Sequence, residues 1–250
     1  MTNLEGKTAA VIGASFGVGK AVAKALLAKG TRVTAVARGT EGLAALRAEL
    51  GQSLETLQAD ATLADTAPRV LGDLRPDFVV LTAGVRPHMG SVDELPWETF
   101  SEAWNADTQA AFRVVQAALR LPLRPGSVIV VVSSGAAING SYLTGGYAGA
   151  KRMQWLLTDY AQKLSDAKQL GIRFLAVLPK QLIEGTAIAT LGSEGYGKAL
   201  GIGPTEYLKR FDVPLDCDKV AAAIVAGLQG ELDPSLTAVA VTGTGIEPLA

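Results

Sequence analysis

One cysteine, Cys217, and one histidine, His88, are all that the 250 residues contain of those two types. A lone thiol cannot close a disulfide within the chain, so a reducing, cytoplasmic setting is the default expectation. Without a cluster of Cys or His there is no pattern for a transition-metal site. Charge is also sparse: 19% of residues are ionisable acids or bases, and the formal net charge is −1. No basic run offers the electrostatic footprint of a nucleic-acid binder. The longest apolar runs fall far short of the ~18 residues of a membrane span. The segment Met1–Lys7 is polar and does not read as a secretory signal.

Apolar residues are abundant, at 48%, which suits one domain with a full core over residues 1–250. Short apolar runs at Ala9–Ile12, Val33–Ala37, Phe78–Leu81, Val128–Val132, Arg173–Leu178 and Ala238–Val241 alternate with helical stretches. No linker or repeat interrupts them. This alternation predicts an α/β, Rossmann-type doubly wound parallel sheet of about seven strands, with helices on both faces in three layers. Leu95-Pro96 marks a helix start, and Gly171 marks a helix stop after Leu170. The stretch from Gly185 to Pro214 breaks the alternation with Gly192, Gly195, Gly197, Gly201 and Gly203. It follows the sixth strand at the ligand edge, so it reads as a lid over a substrate, with a surface insertion as the alternative.

Chemistry is concentrated at Tyr147 and Lys151. Residues four apart share one helix face, which sets a phenol beside an ammonium. A free phenol titrates near pH ~10. A cation about 4 Å away favours the phenolate by roughly 4 kcal/mol at an effective dielectric of ~20. That is enough to lower the tyrosine by roughly two or three units, into the range where it exchanges protons near neutrality. Three further features accompany the pair. Thr8–Ile12 leads straight into Gly13-Ala14-Ser15-Phe16-Gly17-Val18-Gly19 and then a helical pattern, a strand–turn–helix fit for a pyrophosphate. Ser133-Ser134 closes the apolar run Val128–Val132, where open α/β sheets place their ligands. Asn105 lies inside the amphipathic stretch Thr99–Leu119, against its propensity.

Together these features resemble the short-chain dehydrogenase/reductase family over nearly the whole chain. The family's Tyr-x-x-x-Lys matches Tyr147 and Lys151. Its catalytic serine stands thirteen residues earlier, and 147 − 134 = 13 selects Ser134. Its helix asparagine matches Asn105. Its glycine motif matches Gly13, Gly17 and Gly19, which implies a cofactor cradle that also includes Ser15, Phe16 and Val18. The segment after the fourth strand is similar to Leu81-Thr82-Ala83-Gly84, and the pair that holds the adenine is similar to Asp60-Ala61. Pro179 lies in the loop under the nicotinamide, and Thr186 is the match for the threonine on the carboxamide. The chain departs from the pattern at Ile12 (usually Thr), at Leu81 and Thr82 (two asparagines) and at Lys180 (glycine after the proline).

The resemblance implies hydride transfer between a nicotinamide cofactor and a carbonyl or alcohol compound. Ser134 would orient the substrate oxygen and Tyr147 would pass the proton. Lys151 would tune the tyrosine and hold the nicotinamide ribose, and Asn105 would position a water leading to solvent. Ala37 stands where an NAD-binding acid is expected and Arg38 follows it, which selects NADP(H) over NAD(H). Against this, Phe16 occupies a place where NADP-preferring relatives carry a second basic residue. The family also implies a homodimer or homotetramer through the helices bearing Asn105 and Tyr147. Two rival readings remain: a non-catalytic dinucleotide-binding sensor or scaffold on the same fold, which has no need of a tuned proton donor, and a nucleotide-sugar epimerase or dehydratase, which uses the same tyrosine–lysine pair but for which the chain is short. Arg86, His88, Met89, Tyr142, Tyr196 and Tyr207 are candidates for the pocket border, with His88 read as a solvated loop residue.

Overall fold

The computed structural model describes residues 2–121 and 123–249. Its elements in chain order are β1 (Thr8–Ile12), α1 (Gly17–Ala28), β2 (Arg32–Ala37), α2 (Thr40–Leu50), β3 (Glu55–Gln58), α3 (Thr66–Leu74) and β4 (Phe78–Leu81). Next come α4 (Trp97–Ala103), a π-helical segment (Trp104–Thr108), α5 (Gln109–Arg120), β5 (Val128–Val132), α6 (Ala136–Asn139), α7 (Gly145–Ala167) and β6 (Arg173–Pro179). The chain continues with α8 (Ala187–Leu200), α9 (Pro204–Leu208), α10 (Cys217–Gln229), β7 (Ala238–Thr242) and β8 (Gly245–Leu249). The strands form one sheet in the order β3-β2-β1-β4-β5-β6-β7-β8. The first seven strands are parallel, and β8 returns antiparallel to β7.

Burial on both faces explains why the strands read as continuous apolar runs rather than alternating ones. Along β1, Ala9 and Val11 face a layer with residues of α1, α2 and α10. Ala10 and Ile12 face the opposite layer, built from α3, α5 and α7. Strand order reverses between β1 and β4, which opens a crevice at their C-terminal ends.

The six strands expected from apolar runs are all present. Among the described residues the sheet has eight strands rather than about seven, because two edge strands carry little hydrophobic signal. β3 is only partly buried, and β8, Gly-Ile-Glu-Pro-Leu, is largely exposed and holds a proline, as an edge tolerates. Helix α7 stops at Ala167, three residues before the expected end, and Gln169 (φ 53°) and Gly171 (φ 65°) turn the chain toward β6. The glycine-rich stretch 185–214 is mainly helical. Thr186 caps α8 and Gly201 ends it at φ 69°. Gly192 and Gly197 serve close packing there: a Cβ would stand 2.9 Å from Leu182 Cδ2 and 2.9 Å from the Ile202 carbonyl oxygen, respectively. Among the described residues no helix is long and apolar enough to cross a membrane.

Helices α4 and α7 approach at Gly146, where a Cβ would run into the carbonyl oxygen of Phe100. Gly146→Ala should therefore lower the unfolding free energy by about 1–3 kcal/mol, as overpacking does. Gly149→Ala, three residues on with open space around it, should raise it by up to ~1 kcal/mol. Urea unfolding of both variants checks the pair, and equal effects would contradict the close helix crossing.

Candidate active site

Two contacts fix α7 against the C-terminal edge of the sheet. Ser133, just after β5, donates its buried hydroxyl to the Lys151 carbonyl oxygen at 2.7 Å. Thr108 donates to the Ala150 carbonyl oxygen at 3.5 Å. The first turns of α7 are thereby set beside the end of β5. Tyr147 and Lys151 are both buried and lie together, with the lysine Nζ 5.4 Å from the centre of the tyrosine ring. Ser134 and Tyr147 line one cavity of about 440 Å³. The Ser134 oxygen accepts the Ala136 N–H at 3.2 Å, which opens the short helix α6.

Asn105 is not brought to the lysine. It is exposed, and its amide donates only to Ser101 Oγ, at 3.4 Å. Asp107 stands there instead, fully buried, with Oδ2 2.9 Å from Lys151 Nζ. Two residues along a helix are separated by about 200° around its axis, so both cannot face α7. The π-helical segment holding them also shifts the register that regular spacing would give. The ion pair is close, and the lysine, with three N–H groups, also donates to Gln154 Oε1 at 3.1 Å. Gln154 in turn donates to the Asp107 carbonyl oxygen at 3.1 Å, and Asp107 Oδ1 accepts the Val85 N–H at 2.8 Å. Burial alone would push the Lys151 ammonium down; the Asp107 carboxylate, then Tyr147, outweigh it and hold the lysine above its ordinary value. The i,i+4 spacing predicts a lysine that acts as a cation on the phenol alone. In the structure its charge is compensated by Asp107.

The glycine turn is locked to the end of β4. Thr82, in place of an asparagine, offers its hydroxyl to the Ile12 and Gly13 carbonyl oxygens at 3.1 and 3.0 Å. Gly13 (φ 95°) lies against the backbone of Ala83, and a Cβ on Gly19 would strike the Gly13 carbonyl. Gly17 (φ 57°) has open space beside it, and no side chain caps the N-terminus of α1. Phe16 is the exposed N-cap residue, Ser15 lies against Gly42, and Val18 turns toward the core. Gly84 leaves room for Asp107, whose Oδ2 would be 2.8 Å from a Cβ there. Ala37 ends β2, and Arg38 beside it is exposed. Open space at Gly17, free approach to the helix N-terminus and an uncovered Arg38 suit a dinucleotide with its phosphates on the turn.

At the adenine end, Asp60 Oδ1 accepts the Thr62 N–H at 2.9 Å and the Thr62 hydroxyl at 2.8 Å. The Thr62 amide holds this carboxyl below the usual aspartate range against the opposing effect of burial, and the Thr62 hydroxyl and Arg38 add to it. Ala61 is buried in the layer of α3 and α5. Thr186 is a helix cap: its oxygen accepts the Ala189 N–H at 3.1 Å and donates to the Ile183 carbonyl at 2.8 Å. Its hydroxyl proton is thus spent inside the protein. Pro179 and Lys180 line the cavity, with Lys180 Nζ paired to Glu247 of β8 at 2.6 Å. Met89, Tyr142, Tyr196 and Tyr207 line it too, joined by Phe211, which the sequence did not single out. Arg86 does not line it, and His88 is exposed and paired with Glu102 at 2.6 Å.

Removing one member of a buried ion pair strands the other charge. Asp107→Ala should lower the unfolding free energy by about 3–5 kcal/mol. Asp107→Asn keeps an acceptor for the Val85 amide and should cost less. Chemical denaturation of both variants measures this, and a loss below ~1 kcal/mol for the alanine variant would contradict the observed burial.

The short chain dehydrogenase family profile matches residues 7–190. The 3-oxoacyl-[acyl-carrier-protein] reductase of Escherichia coli (strain K12) is 27% identical over 231 residues, spanning 77% of this chain and 92% of the relative. An NADPH-dependent pterin aldehyde reductase of Arabidopsis thaliana is 26% identical over 182 residues, spanning 69% of this chain and 74% of the relative. Among solved structures, actinorhodin polyketide ketoreductase with NADPH superposes at a TM-score of 0.82 and 25% identity, covering 97% of this chain and 98% of that one. NAD+-bound xylitol dehydrogenase has the same fold, with a TM-score of 0.85 at 19% identity over 97% of this chain and 100% of that one. With the family profile spanning its sheet from β1 through β6 and the Tyr147–Lys151 pair, the chain belongs to the short-chain dehydrogenases, a family of nicotinamide-dependent oxidoreductases.

Proposed function

We propose that the protein is an NADP(H)-dependent reductase or dehydrogenase of an uncharged carbonyl/alcohol pair, with Tyr147 as the proton-transferring group. The carrying observation is that Ser134 and Tyr147 open into one cavity, with the buried Lys151 immediately behind the tyrosine. The glycine turn, with Gly13, Gly17 and Gly19, would hold the pyrophosphate, Asp60 and Ala61 the adenine, and Pro179 the nicotinamide end. The bound cofactor supplies or takes up a hydride. Ser134 hydrogen-bonds the substrate oxygen and orients the carbonyl. Tyr147 donates its proton to that oxygen as negative charge builds there, where stabilisation affects the rate most. In the alcohol-oxidising direction the same hydroxyl group, ionised, takes the proton back.

The cavity wall narrows the substrate class. Tyr142 meets Tyr196 edge-on with centroids 5.7 Å apart, Tyr196 stacks on Tyr207 at 5.9 Å, and Tyr207 meets Phe211 edge-on at 6.4 Å. Ser141 ties this wall down through short contacts to Tyr196 and Thr144. Among the described residues, the one charged side chain lining the cavity is Lys180, paired with Glu247. Such a wall favours a flat or ring-bearing apolar substrate without formal charge. Because α8 and α9 supply Tyr196 and Tyr207, residues 185–214 act as the lid that sets specificity. Exposed Trp104 and Phe112 on one helix pair and Tyr160 and Leu164 on α7 support association into a homodimer or homotetramer.

NADP(H) is favoured by Arg38, whose exposed guanidinium can take a 2′-phosphate, and by the absence of an acid at Ala37. NADPH stands in the names of two similar proteins and NAD+ in that of a third, so the choice rests on Arg38 and Ala37. Tyr147→Phe should retain NADPH binding and lower kcat by roughly 10²–10⁴-fold. Steady-state kinetics with an aryl ketone tests it, and near-normal turnover would refute the proton role. Arg38→Ala should raise KM for NADPH by roughly ten- to a hundredfold and leave that for NADH unchanged. An unaltered ratio of the two constants would remove Arg38 from cofactor choice.

A further inference from the structure

The seat of Lys151 carries more than its position. Its ammonium is enclosed between α7 and the π-helical segment, where Asp107 is a fully buried carboxylate. Among the described residues, Asp107 and Tyr147 are the charged or titratable groups acting on it. Gln154, on α7, is a neutral acceptor, and Ser133 of the β5 edge touches only the lysine's backbone oxygen. Asp107 is itself fixed at both ends, by the Val85 amide through Oδ1 and by Gln154 through its backbone carbonyl. These contacts hold the carboxylate in place against the lysine.

We propose that Asp107 is a positioning residue that sets the pH range of the Tyr147–Lys151 pair by holding Lys151 in a charge-compensated seat. This rests on the reductase reading above. The anion favours the protonated lysine, so it delays loss of the ammonium on the alkaline side. At the phenol it offsets the field of the ammonium. Removing the negative charge while keeping the shape should move loss of the ammonium toward lower pH. In Asp107→Asn the remaining oxygen can still accept the Val85 N–H. The new amide N–H then points at Nζ, which accepts it only as a neutral amine.

The test compares the wild type, Asp107→Asn and Gln154→Met in the full chain. The pH dependence of kcat/KM is recorded with NADPH and an uncharged aryl ketone, and the Lys151 Nζ resonance is followed by nitrogen NMR as pH rises. For Asp107→Asn, the expected result is that the alkaline kinetic midpoint and the Nζ titration move down together by about one pH unit or more. Gln154→Met removes a hydrogen bond and no charge, and should move them by less than half as much. A rate lowered equally at all pH values, with midpoints and resonance unmoved, assigns Asp107 a purely structural part and overturns the proposal. Equal shifts in the two variants also overturn it, since loosening rather than charge would then be the cause. If the Nζ titration shifts as expected but no carbonyl compound is reduced by the wild type, the reductase reading fails while the charge assignment stands.

Discussion

A buried ammonium facing a buried carboxylate is stable only if both stay where they are. Between Lys151 and Asp107 that condition is met by three neighbours: Val85, Gln154 and the backbone of the π-helical segment. The pair therefore acts as a brace between the long helix α7 and the helix before β5. It also reaches the loop after β4, because Asp107 accepts the Val85 amide and fills the space that Gly84 leaves open. Taking two charges out of water costs several kcal/mol per ion, so such a pair is weak evidence of net stability. Its effect here is definition: Tyr147, one turn from Lys151, has a single place to be.

A second set of contacts brings the glycine turn to the same edge. Thr82 bonds the carbonyls that end β1 and begin the turn. Gly13 and Gly19 are small because the backbone of one segment lies where their side chains would be. Gly17 differs, being left-handed and facing open space, which is what an anion at a helix N-terminus requires. The position after β4 that usually holds an asparagine keeps its structural duty through a shorter side chain. At the other end of the crevice, Lys180 is bound to Glu247 on the antiparallel edge strand β8. That bond ties the loop after β6 to the C-terminal hairpin and gives the one cation on the cavity wall among the described residues a partner.

Much of this was legible from the chain. Runs such as Val128–Val132 announce central strands because both faces of a parallel sheet are dry. The spacing of Tyr147 and Lys151 announces a shared helix face, and Gly13, Gly17 and Gly19 announce a turn that must admit backbone or ligand closely. Edge strands were harder: β3 and β8 are partly solvated and carry polar residues or proline. The glycines of α8 break the strand–helix alternation and read as a lid, yet two of them mark helix packing against Leu182 and Ile202. Phe211 was missed because a single aromatic in a polar stretch has no period to reveal it. Asp107 was missed because an acid in a helix ordinarily faces water, and Asn105 better fitted the expected residue type.

The sequence by itself determined the layered parallel sheet, the family and the placing of Ser134, Tyr147 and Lys151 at one edge, because periodicity and local turn chemistry act over a few residues. Only the tertiary structure decided which polar side chain meets the lysine. That choice depends on a π-helical register, on the crossing of two helices far apart in sequence and on the cost of burying a charge without a partner.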